Sequence, residues 1–197
     1  NLGIQGAILQ MVNHGLSTGA LFLIVGMVYE RRHTREISEF GGLWKVMPIC
    51  GTMTLIVVLS SMGLPGLNGF VGEFIILLGA FGSQVLGSSI YAILAASGVI
   101  LAAIYMLWMF QRVVWGEVGE ANSKLRDLSF REWIVVAPLL VLMIWIGVHS
   151  DTFTHRTEGS SRHLIHKVWA EQMRAAGKAV TSVTDGPFRL TKGRTAR

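Results

Sequence analysis

The chain has 197 residues, 51% hydrophobic and 15% charged, where an average soluble domain is about 25% charged. Its net charge is +5, but all 17 Lys and Arg fall within residues 31–45, 112–131 and 156–197. Long apolar blocks lie between them, so the basic residues read as membrane-flanking loops and a tail rather than a nucleic-acid surface.

The first block, residues 2–29, is helical by length and rich in small residues that let helices approach closely in lipid. Gln10, Asn13, His14, Ser17 and Thr18 recur at helical spacing and form one polar stripe. Such a stripe must face protein or water. The basic loop 30–42 follows. Apolar sequence then runs from 46 to about 82, which as one helix would span about 55 Å against a hydrocarbon core of about 30 Å. It must either cross twice or cross once with an interruption. The interruption is marked by "GLPGLNG", residues 63–69, where Gly63, Pro65, Gly66 and Gly69 break the pattern.

Further blocks follow at 88–115 and 133–148, separated by the basic loop 116–132. Trp44, Trp115 and Trp133 stand at block edges, where interfacial aromatics belong. Cys50, the only cysteine, excludes an intramolecular disulfide and any multi-cysteine metal or iron–sulfur site in this chain, and reads as a small core residue. Tyr105 and Ser97 read as packing residues. The tail pair His163 and His166 lacks the further ligands a metal needs. Residues 163–177 place Leu164, Val168 and Ala175 on one face, which predicts an amphipathic helix on the membrane surface or a neighbour.

Charge decides the number of crossings. A single interrupted crossing over 46–82 puts both basic loops on one side, as the positive-inside bias favours; two crossings would put them on opposite sides. The sequence therefore predicts an all-α, polytopic membrane bundle with about four crossings, one of them interrupted. Residues 1–150 form its transmembrane part and 151–197 a polar basic tail. The absence of an initial methionine and of a signal peptide is what the C-terminal part of a longer protein would show.

Glu73 is the only acidic residue between Glu39 and Glu117. An ionisable group and non-helical backbone at membrane depth both have to be buried in protein or line a wet cavity. The start of the second half-helix favours a charged carboxylate, while loss of water favours the neutral form. A group so balanced can trade a proton. The alternative is a protonated, structural Glu73, and for His14 a core histidine bonded to a carbonyl.

The segments "NHGLSTGALFLIVGMVYERRHTREI" (13–37) and "GLPGLNGFVGEF" (63–74) closely resemble the antiporter-like membrane subunits of respiratory complex I, the NADH:quinone oxidoreductase. The resemblance covers about residues 3–151. It implies a C-terminal piece of a fourteen-helix subunit built from two inverted repeats, with Glu73 and His14 as proton-relay residues on a central polar axis. A glutamate at 73 fits the M-type branch, whose siblings usually carry lysine there. It further implies that the basic loops are cytoplasmic and that the chain sits in a bacterial inner membrane. Its partners would be lipid, protons and other membrane subunits. NADH, FMN, iron–sulfur clusters and quinone would bind elsewhere in the complex, with no metal or cofactor on this chain. Two alternatives stand beside this: a subunit of an Mrp-type cation/proton antiporter or membrane-bound hydrogenase, and a purely structural membrane subunit. His14 and Glu73 are expected to face one protein interior from neighbouring helices.

Overall fold

Apolar sequence without a break gives one helix, α1, over Leu2–Arg32, about 46 Å long. Its last turn carries Arg31 and Arg32, which suit the negative end of the helix dipole. The computed structural model describes residues 2–83 and 89–175, and all regular structure among them is helical. After α1 come α2 (Leu43–Val46), α3 (Pro48–Ser61), α4 (Asn68–Phe81), α5 (Ile90–Val113), α6 (Phe130–Val148) and α7 (Asp151–Ala175), with single 3-10 turns at Ile37–Glu39 and Glu120–Asn122. By length and composition α1, α5 and α6 can each cross a membrane.

α3 and α4 have 14 residues each, about 21 Å, which is too short for either to cross alone. They form one interrupted crossing, because α1 runs antiparallel along both in a single track. Gly3 meets Gly79, Gly6 meets Ile76 and Gly72 meets Gln10. Asn13 then meets Asn68 and Ser17 meets Ser60. Beyond them Ile24, Met27 and Val28 share a core with Leu43, Met47 and Cys50. A hairpin of two full crossings could not be followed end to end by one straight helix. Along α4 the backbones nearly touch: a Cβ on Gly79 would stand 2.6 Å from Gly3 Cα, and one on Gly6 2.8 Å from Ile76 N.

The predicted non-helical stretch 63–69 is slightly shorter in the structure, since Asn68 and Gly69 already belong to α4. α3 ends in a Schellman motif. Gly63 N donates to Ser60 O at 3.3 Å and Leu64 N to Leu59 O at 3.0 Å, with Gly63 left-handed at φ 77°. This satisfies two of the carbonyls a helix end leaves open, and Pro65 follows where such ends commonly place it.

The two basic loops meet at one end. Gly42 N donates to Trp115 O at 2.8 Å, and Asn122 Nδ2 donates to Glu39 O at 3.1 Å. Arg31 forms a two-pronged pair with Glu132, both contacts 2.7 Å, and donates to Arg126 O at 2.9 Å. Asp127 accepts from Ile49 N at 2.8 Å and Cys50 N at 3.1 Å, closing the start of α3. The tail helix lies at the other end, with Glu158 beside Leu2, Gly3 and Gly79. It begins at Asp151 rather than at 163. Phe153 packs edge-on against Trp145, Ser161 is buried, and its hydroxyl bonds back to Thr157 O at 2.8 Å. Such contacts leave no apolar periodicity to read. Leu164 and Val168, the predicted apolar face, stay exposed on this chain; residues 176 and 177 lie outside the described residues.

Candidate functional site

The break in the α3–α4 crossing is where polar side chains collect. Asn68 opens α4, Ser60 stands in the last turn of α3, and both are fully buried. From α1, Asn13 and Ser17 face them, 1% and 5% exposed. Buried polar groups in lipid need partners within the protein, and each of these residues has at least one, although Asn13 Oδ1 accepts no hydrogen bond among the described residues. Asn13 Nδ2 donates to Asn68 O at 2.7 Å, and Asn68 Nδ2 donates back to Asn13 O at 3.3 Å. The two amides clasp each other's backbone across the helix interface. Ser60 Oγ donates to Asn68 Oδ1 and pairs with Ser17 Oγ at 2.9 Å.

From this knot the bonds lead to the carboxylate. Asn13 Nδ2 also donates to Gln10 Oε1 at 3.2 Å, and Gln10 Nε2 donates to Glu73 Oε1 at 3.4 Å. Glu73 stands in the second turn of α4 and is half-buried. Its side chain leans toward the helix start, as helical side chains do, so its other oxygen lies over Gly63 in the break. Among the described residues no side chain caps the first turn of α4, so the positive end of its helix dipole points toward the break. On the far side α6 passes at backbone contact: a Cβ on Gly147 would be 2.5 Å from Leu67 Cα.

The predicted polar stripe divides. Gln10, Asn13 and Ser17 join the network at the break. Thr18 is half-buried on the neighbouring face. His14 is exposed beside Met11 and Gly15, on the face of α1 turned away from the knot. The structure does not bring His14 and Glu73 into one interior within this chain; one helical step of about 100° separates His14 from Asn13, and Gln10 is what reaches the carboxylate. Gly63 and Pro65 sit in the break as predicted, as does Gly66, at φ 94°. Gly69 lies against the end of α3, near Ser60 O.

Sequence reasoning passed over Ser60 and Asn68. A signal was there: of four asparagines, only Asn13 and Asn68 lie in apolar blocks, and lone amides in lipid are often each other's partners. Among the described residues no group of three or more His, Cys, Asp and Glu could hold a metal ion.

The fold defines a polytopic membrane helix bundle with one crossing broken beside a half-buried carboxylate. The chain belongs to the NADH:quinone oxidoreductase/Mrp antiporter transmembrane family, whose pattern residues 1–101 match. It is 44% identical over 170 residues to NADH-quinone oxidoreductase subunit M of Rhodobacter capsulatus, covering 86% of this chain and 32% of that protein. To NADH-ubiquinone oxidoreductase chain 4 of Marchantia polymorpha it is 44% identical over 164 residues, 83% of this chain and 32% of that one. Among solved structures, respiratory complex I from Thermus thermophilus with bound NADH contains a chain of the same fold. The TM-score is 0.71 at 38% identity, over 77% of this chain and 31% of that one. A membrane-bound sulfane sulfur reductase, an archaeal respiratory membrane complex, gives a TM-score of 0.68 at 26% identity, over 75% of this chain and 24% of that one. The chain spans about a third of the length of the subunit M relatives it matches.

Proposed function

We propose that this chain is part of a proton-translocating, antiporter-like subunit of an NADH:quinone oxidoreductase, with Glu73 as a proton-relay group. The observation that carries the reading is the placement of Glu73. A single carboxylate stands at a helix break inside the membrane part, held by an amide on one oxygen and lying over Gly63 with the other. A static salt bridge would need a cation, and Glu73 has none among the described residues. The names of the subunit M relatives support the oxidoreductase setting over a cation/proton antiporter.

In this reading His14, on the open face of α1, serves a second relay step toward helices of the longer subunit. Other membrane subunits of the complex and the surrounding lipid are the partners. NADH, FMN, iron–sulfur clusters and quinone bind on other chains. The membrane is the bacterial inner membrane, with both basic loops cytoplasmic.

The test is Glu73→Gln against Glu73→Asp in the full-length subunit, read as NADH-driven proton uptake into membrane vesicles with assembly of the complex checked. A relay must release and rebind a proton, which an amide cannot do, though it copies the size and bonding of a neutral glutamate. The relay reading therefore expects Gln to abolish most uptake and Asp to be milder. A purely structural Glu73 gives the reverse order.

A further inference from the structure

The hydrogen bonds of the knot have directions that chemistry assigns. Asn68 Oδ1 carries no hydrogen, so Ser60 gives its only hydroxyl proton to it. Ser60 Oγ then has only lone pairs left, and Ser17 is the donor in their pair. Asn13 Nδ2 occupies Gln10 Oε1, which turns the Gln10 nitrogen toward Glu73. Glu73 Oε1 is thereby an acceptor from Gln10, and a proton on Oε1 would oppose that N–H. Oε2 is set differently. It accepts no hydrogen bond from the described residues, and it lies over the one break residue where a side chain would collide with it. A Cβ on Gly63 would come within 2.7 Å of Oε2.

Building on the relay reading above, we propose that Gln10 is a positioning residue that pins Glu73 Oε1, so that the carboxylate takes up and releases its proton at Oε2, in the space Gly63 keeps open in the helix break. Uptake from water forms the Oε2–H bond and neutralises the carboxylate. Release breaks that bond, returns the proton to water and restores the charge. No electron moves. Two requirements on the sequence follow: an amide at position 10, and no side chain at position 63.

Gly66 supplies the control for position 63. It is also left-handed, at φ 94°, but a Cβ there meets nothing within 4 Å. Gly63→Ala and Gly66→Ala therefore carry similar backbone strain, and only the first crowds Oε2. In the full-length subunit within the assembled complex, NADH-driven proton uptake is expected to be about tenfold slower or worse in Gly63→Ala than in Gly66→Ala, since misplacing a reacting group by an ångström has effects of that order or larger. Gln10→Met keeps the length of the side chain and loses its donor. It is expected to slow uptake about fivefold, the worth of one ordinary hydrogen bond.

Infrared difference spectroscopy gives the readout that a merely structural role would not move. The carboxylic C=O band removed by Glu73→Gln should shift to higher wavenumber in Gln10→Met, because the C=O oxygen, Oε1, has lost its donor. A band that stays in place, or equal losses in Gly63→Ala and Gly66→Ala, overturns the positioning role and leaves the relay standing. If Glu73→Gln assembles, takes up protons at the wild-type rate and removes no band, the relay itself falls and this proposal with it. Should Gln10→Met fail to assemble, Gln10→Leu, which also lacks the donor, replaces it in both readouts.

Discussion

The Asn13–Asn68 clasp and the Ser60–Asn68 bond look alike in strength but differ in kind, and the difference can be measured. In the clasp each side chain bonds the other residue's backbone carbonyl. Removing one side chain leaves the other bond's partner in place. Asn13→Ala and Asn68→Ala should then be nearly additive, with a coupling below about 0.5 kcal/mol. Ser60 and Asn68 meet side chain to side chain, so either truncation destroys the same bond. Interhelical hydrogen bonds in membrane proteins average about 0.6 kcal/mol and reach about 1.7. Both residues are fully buried, which places this coupling toward the upper figure. Each single truncation loses two bonds, and in Asn68→Ala the Ser60 hydroxyl can still donate to Ser17. The loss for each should be about 1–3 kcal/mol. The assay is reversible unfolding of the full-length subunit in mixed micelles, run as two double-mutant cycles. A larger coupling for Asn13 with Asn68 than for Ser60 with Asn68 would refute this account of the knot.

Three further outcomes rest on separate contacts. Glu132→Gln leaves the Arg31 fork without a carboxylate at the basic-loop end, where the pair is only 17% and 15% exposed; a loss of about 1–3 kcal/mol, the range for bonds to charged groups, should appear as a lower melting temperature of the assembled complex. Asp127→Ala uncaps α3 and should cost about 1 kcal/mol in the same measurement, while Asp127→Asn, which can still accept, should lose less. Gly72→Ala puts a methyl against Gln10 and Asn13 and should lower the melting temperature by forcing α1 from α4, whereas Gly98→Ala on α5, with nothing within 4 Å, should leave it unchanged or raise it.

How much of this was legible in the sequence depends on the scale of the feature. The interrupted crossing was readable because length and charge are sums over many residues: 46–82 is too long for one straight helix, and the basic loops have to share a side. The structure agrees, with Gly42 bonded to Trp115 across the two loops. The carboxylate at the break was equally readable, since no other acid lies near Glu73 in the sequence. Which residue touches it was not. The polar stripe of α1 is five residues wide around the helix, and sequence spacing cannot say which part of that arc faces α4. His14 and Gln10 both belong to it, yet only Gln10 reaches Glu73. The register is set by Gly3, Gly6, Gly72 and Gly79, whose missing side chains let α1 and α4 close to backbone contact. The tail helix was half legible, because residues 151–162 are rich in Ser and Thr whose hydroxyls bond back to the helix's own carbonyls, a stretch with no hydrophobic period to read.

The helix starts in this chain differ in how their first amides are closed. At the basic-loop end, α6 opens with a capping box of Ser129 and Glu132, and α3 opens under the Asp127 carboxylate. Both are closed by acids, as helix starts in contact with water commonly are. α4, which starts inside the membrane part, has no such cap among the described residues. Its first residue instead turns its side chain sideways, to Ser60 and to the Asn13 backbone. Asn is among the best capping residues when it stands one position earlier, at the N-cap, but there Leu67 stands. The arrangement leaves the positive end of a helix dipole open beside Glu73. Capping that end would stabilise the fold and weaken the field felt by the carboxylate. An open helix end favours the ionised form of a nearby carboxylate, whereas a protonated, structural Glu73 would gain little from it.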